Sequence, residues 1–344
     1  MPTLFIVGLI FAPIGAVLFY FSQTVSELTI DYTDCMSLPV GQDEEIPASK
    51  YSYQLHDITA SNWQKPRWSK VANASTPTGF TCQVFFWIPK DLEPSLFLYY
   101  KLTNYYQNHR RYVKSLDTQQ LLGDNRTAQE LNDGQCKPLG RDDATGKAIY
   151  PCGLIANSLF NDTFSDPVLL TGTANQDTTY VMSENNIVWT GEKNKYARTE
   201  MDPSTLIPPP YWRGTKIPSG TYFSDGSNLF DPSQDEHFMV WMRTAGLPTF
   251  RKLYKRNDND VLRAGFYRID IQDNYPVAMF HGTKSIVLST VSWVGGRNPF
   301  LGIAYIVVAG ILILLGLIFT AKHLIRPRRL GDMSLLSWNQ EEAK

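Results

Sequence analysis

Phe300 to Ala321 reads FLGIAYIVVAGILILLGLIFTA, 22 residues without a charged side chain. As a helix rising about 1.5 Å per residue it is ~33 Å long, enough to cross a hydrocarbon core of ~30 Å. That length and purity favour a membrane span over a core helix of a soluble domain. Arg297 stands just before the run, and Lys322, Arg326, Arg328 and Arg329 follow it.

The other end of the chain carries a second such run. Thr3 to Phe21, TLFIVGLIFAPIGAVLFYF, is 19 uncharged residues and also long enough to span. Pro13 kinks such a helix without forbidding it, because neighbouring helices satisfy the freed carbonyl. Gly8, Ala12 and Ala16 recur every fourth residue, a small-residue stripe suited to close approach of a partner helix. A cleaved signal peptide is the competing reading; the segment has no basic n-region and no A-x-A site at its end. The tail Lys322 to Lys344 has five Lys/Arg and three acids, a net +2. By the positive-inside rule the C-terminus is cytosolic, and with two spans so is the N-terminus. The expected organisation is a first span at 1–21, a lumenal or extracellular domain at 22–298, a second span at 299–321 and a cytosolic tail at 322–344.

The whole chain of 344 residues has Lys+Arg 32 against Asp+Glu 33, a net charge of -1. This speaks against a nucleic-acid binder, which normally shows a clear basic excess. All four cysteines, Cys35, Cys82, Cys136 and Cys152, fall in the large central region. An even number in an oxidising compartment suggests two disulfides. Three connectivities are possible, of which the sequential one, Cys35–Cys82 and Cys136–Cys152, is favoured. Closing the Cys136–Cys152 loop would stabilise by roughly 3 kcal/mol on the chain-entropy estimate. The same region holds three N-x-S/T sequons, at Asn73, Asn125 and Asn161. Its texture is mostly β: Phe80, Cys82, Val84, Phe86 and Ile88 alternate with Thr81, Gln83, Phe85 and Trp87. Arg263 to Ile271 and Ser285 to Val294 are also strand-like, and frequent Pro and Gly cut the segments short. Helix is possible around Leu96 to Leu116 and around Asp231 to Leu247. With no obvious linker, residues 22–298 read as one compact domain.

The residues of catalysis do not assemble into a pattern. His56, His109, His237 and His281 are not spaced as metal ligands, and HExxH, G-x-S-x-G and the P-loop are absent. Gly295-Gly296 near Gly302 lacks the spacing of a dinucleotide-binding loop. Asp142-Asp143 and Asp235-Glu236 could serve as acid/base pairs, but adjacent carboxylates are more often a solvated turn. A zinc site would want C-x-x-C or close His partners. No metal, no cofactor and no enzymatic activity are therefore expected. The most distinctive local sequence is Tyr99 to Ser115, YYKLTNYYQNHRRYVKS, with Lys101, Arg110, Arg111 and Lys114 among five Tyr. It reads either as structural packing of rings and cationic stems or as a docking surface, since Tyr and Arg dominate interface hot spots.

Several long strings resemble one family. They are Leu98 to Ser115, Pro151 to Thr163 (PCGLIANSLFNDT), Trp189 to Arg198, Trp241 to Tyr254 (WMRTAGLPTFRKLY) and Gly295 to Tyr305 (GGRNPFLGIAY). The chain resembles, over nearly all its length, the cell division control protein 50 family, also called the ligand-effect modulator 3 family. These are non-catalytic beta subunits of type IV P-type ATPases, the lipid flippases. The resemblance implies two spans and a large glycosylated exoplasmic domain of antiparallel β-structure. It implies a heterodimer with one large ATPase that moves phospholipid from the exoplasmic to the cytosolic leaflet. It also implies a chaperone-like role, with export from the endoplasmic reticulum to Golgi, endosome or plasma membrane. The pairs Cys35–Cys82 and Cys136–Cys152 match the family's disulfide positions, and Asn161 a glycosylation position. Family members usually carry a basic cytosolic tail before the first span; here Met1 opens straight into it. Two other classes compete: an independent cell-surface receptor or adhesion module, and a membrane-anchored hydrolase.

Overall fold

The computed structural model describes residues 2–55, 64–172, 176–291 and 295–325. The chain divides into two compact units. One holds the described residues of 1–25 and 291–344, the other is Ser26–Thr290.

The first unit is a pair of helices, Pro2–Thr24 and Pro299–Ile325, each apolar and long enough to cross a membrane. The N-terminal helix runs through Pro13 without interruption. The residues it buries are Gly8, Gly15 and Ser22, seven apart; the C-terminal helix buries Gly302, Ala309 and Gly316, also seven apart. A seven-residue seam on both helices matches the 3.5-residue period of left-handed helix packing. The contacts run antiparallel. A Cβ placed on Gly8 would lie 2.8 Å from Ile313, one on Gly15 2.9 Å from the Ile306 nitrogen, and one on Gly302 2.6 Å from the Phe19 nitrogen. At Gly15 and Gly302 the neighbour is backbone, which cannot give way. At one end the Asn298 N–H donates to Ser22 Oγ (3.0 Å) and Arg297 donates to Gln23 Oε1 (3.1 Å). The outer faces, including Ile6, Leu9, Ile10, Val17, Leu314 and Ile318, are exposed.

The second unit is built on two antiparallel sheets. A five-stranded sheet runs in the order Phe250–Asn257, Leu96–Leu102, Lys284–Thr290, Glu27–Asp31, Tyr51–Gln54. The larger sheet has Phe80–Ile88 at its centre, between Gly265–Gln272 and Arg67–Ala72. The two sheets share one hydrophobic core. In Phe80–Ile88 the alternation works as a half-buried strand should: Val84, Phe86 and Ile88 are buried, while Phe85 and Trp87 are only half so. Phe86 stacks on Tyr267 across the pair, and Tyr100 lies on Phe160 with ring centroids 3.9 Å apart.

The expected helix over Leu96 to Leu116 is a strand followed by one short helix. Leu96, Leu98, Tyr100 and Leu102 turn inward at period two between two neighbouring strands, and only Arg110–Val113 is helical. Tertiary pairing overrides local propensity here. Around Asp231 to Leu247 the helix is Glu236–Met242, with the Asp235 carboxylate capping it by accepting from the Phe238 N–H (2.8 Å). The strand expected at Ser285 to Val294 is Lys284–Thr290; Val294 and its two predecessors, like His56, lie outside the described residues.

Candidate partner-binding surfaces

Cys35 is bonded to Cys82 and Cys136 to Cys152, with Cα–Cα distances of 6.0 and 5.6 Å. The first bridge ties the turn after Glu27–Asp31 in one sheet to Phe80–Ile88 in the other. The second holds the Gly134–Lys137 turn against the segment that supports Ser115. Buried Gln120 binds both sides of that segment: it donates to the Ile149 carbonyl (3.0 Å) and accepts from the Cys152 N–H (2.9 Å). Gly153 has φ +99°, and a Cβ on it would lie 2.1 Å from the Ser115 carbonyl oxygen. Only glycine permits that approach.

This support divides the Tyr99–Ser115 segment into two parts. Three of its five tyrosines, Tyr100, Tyr105 and Tyr112, pack against the domain, while Tyr106 is exposed. Tyr100 is buried, Tyr105 packs edge-on to Tyr112 and Phe280, and the Tyr112 hydroxyl meets Ser158 Oγ (2.8 Å). Its cations face outward. His109, Arg110, Arg111 and Lys114, with Lys137 from the bridged turn, line an open depression of about 540 Å³. None of the four Arg and Lys side chains there is in an ion pair with a described residue. The segment is thus packing on one side and an unneutralised basic surface on the other. Arg251, by contrast, covers the Tyr99 ring at 4.9 Å and pairs with Glu27 at 2.5 Å.

Of the two acidic pairs, Asp142, Asp235 and Glu236 are bonded within the fold, whereas Asp143 is exposed. Asp142 accepts from Thr145 and is bonded by Arg213 (2.8 Å); these hydrogen bonds hold its carboxyl below the usual range. Burial pushes Asp235 up, but Lys216 at 2.5 Å and the helix N–H outweigh it and the group ends lowered. Glu236 accepts from Lys193 (2.6 Å) and from the Ile187 N–H (2.8 Å). Among the described residues no group of His, Cys, Asp and Glu is placed to hold a metal ion.

Sequence reasoning missed the most buried polar cluster. Lys284 Nζ donates to Asp162 (2.7 Å), to Asp273 (2.6 Å) and to the Tyr275 carbonyl (2.8 Å). Asp162 also accepts from the Tyr32 hydroxyl (2.7 Å) and from the Asn274 and Tyr275 N–H groups. Burial, then the Asp162 charge, drives the Tyr32 hydroxyl well up; burial raises Asp273 despite Lys284. Nothing local marks these residues, since they meet across 122 positions of chain.

The small-residue stripe of the N-terminal helix is split. Gly8 is buried against the chain's own C-terminal helix, Ala12 is half-buried and Ala16 is exposed. The sequons differ too. Asn125 is exposed, whereas Asn73 and Asn161 are half-buried.

Two apolar helices of spanning length flanking a bridged, antiparallel β domain define a two-span membrane protein. Residues 18–329 match the family model described as CDC50: LEM3 (ligand-effect modulator 3) family / CDC50 family. A phospholipid-transporting ATPase accessory subunit CDC50 of Chaetomium thermophilum is 40% identical, with 98% of this chain and 85% of that protein covered. The accessory subunit CRF1 of Saccharomyces cerevisiae is 39% identical over 99% of this chain and 84% of its own. A cell cycle control protein 50A of Bos taurus is 39% identical over 92% and 81%. The chain belongs to the CDC50/LEM3 family.

Proposed function

We propose that this protein is the non-catalytic accessory subunit of a phospholipid-transporting P-type ATPase. The observation that carries the reading is similarity over almost the whole chain to proteins named as accessory subunits of such ATPases. The helix pair docks the pump in the membrane through its outer apolar faces, with Ala16 at the outward end of the stripe begun by Gly8 and Ala12. The β domain lies on the exoplasmic side and both termini in the cytosol. The Lys/Arg-rich flank after the second span, the two disulfides and the sequons at Asn73, Asn125 and Asn161 all support that orientation.

The subunit assists folding of the ATPase, leaves the endoplasmic reticulum with it, and accompanies it to Golgi, endosome or plasma membrane. Where it binds some states of the pump's cycle more tightly than others, it shifts their populations by the ratio of those affinities. The basic depression at Arg110, Arg111 and Lys114 offers acidic exoplasmic loops of the partner an unpaired complement.

The test is to express the partner ATPase with and without this chain and follow its exit from the endoplasmic reticulum and its lipid transport. Both depend on the chain if the proposal holds. An ATPase that matures and transports equally without any family member contradicts it.

A further inference from the structure

We propose that the groove around Asn161 is built to seat the first N-acetylglucosamine of a glycan attached to that residue, making the sugar part of the domain's packing. The inference rests on glycosylation of Asn161, which its sequon and the proposed exoplasmic placement of the domain support. Two adjoining cavities of about 290 and 280 Å³ meet at Asn161 and share Leu159, Tyr211, Thr215 and Asn274 as walls. Met279 and Phe280 complete the first. Its polar atoms are few and its surface largely apolar, the makeup of a site for a small ligand with one apolar face.

Three features tie the groove to this occupant. The attachment residue is itself in the wall, so the sugar is delivered there at no cost of association. Tyr211 is 61% exposed yet braced, its N–H donating to Asn157 Oδ1 (3.1 Å) and its carbonyl accepting from Thr215 Oγ1 (2.8 Å). An exposed ring carried on a fixed backbone offers a face on which the C–H side of a pyranose can lie. Finally, Asn161 Oδ1 is buried without a hydrogen-bond partner among the described residues, a costly state that a neighbouring donor would relieve. An attached N-acetylglucosamine brings hydroxyl and acetamido donors to that neighbourhood.

The other sequons lack this arrangement. Asn73 donates to Thr81 Oγ1 (3.0 Å) and accepts from the Ser75 N–H and hydroxyl, so its amide is already satisfied. Asn125 is exposed and lines neither cavity. The position of Asn161 also matters. Asp162 beside it is the acceptor at the centre of the Lys284 cluster, and Asn274 Nδ2 donates to the Asn161 carbonyl (3.1 Å). A sugar seated in the groove braces the segment that carries Asp162.

The experiment uses the full chain purified in detergent from a host that adds high-mannose glycans, with peptide mapping of Asn161 first. Apparent melting temperatures are then compared for the wild type, Thr163→Ala, Tyr211→Ala and the double variant. Endoglycosidase H, which leaves a single N-acetylglucosamine, is applied to the wild type. Thr163→Ala should lower the midpoint by roughly 2–4 °C, the scale expected of one good contact in a domain of this size. Tyr211→Ala should cost a similar amount but add little to Thr163→Ala, the non-additivity of two groups in contact. The trimmed protein should melt like the untrimmed one, and Asn125→Gln should leave the midpoint unchanged. A Tyr211→Ala loss of equal size with and without the sugar overturns the inference, as does a trimmed form that melts like Thr163→Ala. An unmodified Asn161 in the wild type refutes the glycosylation reading itself and the inference with it.

Discussion

The helix pair and the β domain of this protein are held together by opposite means. In the pair, contact depends on atoms that are missing: Gly15 and Gly302 let two backbones touch, and Gly8 and Gly316 make room for the Ile313 and Phe5 side chains. Lipid tails are as apolar as leucine, so the pair gains from close packing rather than from escape from water. In the domain, contact depends on atoms that are present. Stacked rings, two disulfides and a lysine with two carboxylates fill and tie its interior. The pair should therefore break when side chains grow, and the domain when they shrink or lose a partner.

The largest effect should come from the buried charge cluster. Lys284→Met leaves Asp162 and Asp273 buried without their cation, and breaking such a cluster costs about 3–5 kcal/mol. The variant domain should be cleaved by protease under conditions where the wild type resists; equal resistance would show that the cluster is dispensable. Cys152→Ser opens the bridge that holds the Gly134–Lys137 turn, with a loss of roughly 3 kcal/mol. Retention in the endoplasmic reticulum and weaker pump association should follow, and normal trafficking would count against that role.

Gly15→Leu should act on the other region alone. Its Cβ meets Ile306 Cγ1 and N and Tyr305 Cβ within 2.9 Å, and overpacking of this kind costs about 1–3 kcal/mol. The β domain should melt as the wild type does while association with the pump weakens. Gly310→Ala, where a Cβ meets no described residue within 4 Å, should leave the helix pair intact. If both glycine variants behave alike, the seam is not what joins the helices.

The smallest effect is electrostatic. The His237 hydrogen bond, opposed by burial and aided by Lys255, lowers the Glu184 carboxyl to about 2. A carboxylate lowered on folding stabilises above its unfolded value of about 4.3, and the contribution is lost as pH falls toward 2. Glu184→Gln should flatten that acid limb. The group is half exposed, so the change should stay below about 1 kcal/mol. A wild-type acid limb with no Glu184 dependence would reassign it to another carboxylate.

The two regions were also unequally legible. Uncharged length alone marked both helices, because spanning a bilayer is a one-dimensional requirement. The central strand Phe80–Ile88 was visible through its alternation, and the helix at Glu236–Met242 was anticipated within a wider window. Leu96–Leu102 was misread because its apolar run fits either period and the deciding neighbours lie far away in sequence. The seven-residue seam is present in the sequence as Gly8, Gly15, Ser22 and Gly302, Ala309, Gly316, but the four-residue stripe of Gly8, Ala12 and Ala16 competes with it. The Lys284 cluster had no signature at all. Its members are ordinary polar residues that only the folded sheet brings together.

The central claim is that this chain exists to accompany a lipid-transporting pump. The most direct measurement is affinity purification of the full chain in mild detergent, with mass spectrometry of what accompanies it. The account predicts one large P-type ATPase in near-stoichiometric amount, lost in Gly15→Leu and retained in Gly310→Ala. A chain that purifies without any such ATPase, while other membrane complexes survive the same detergent, would contradict it.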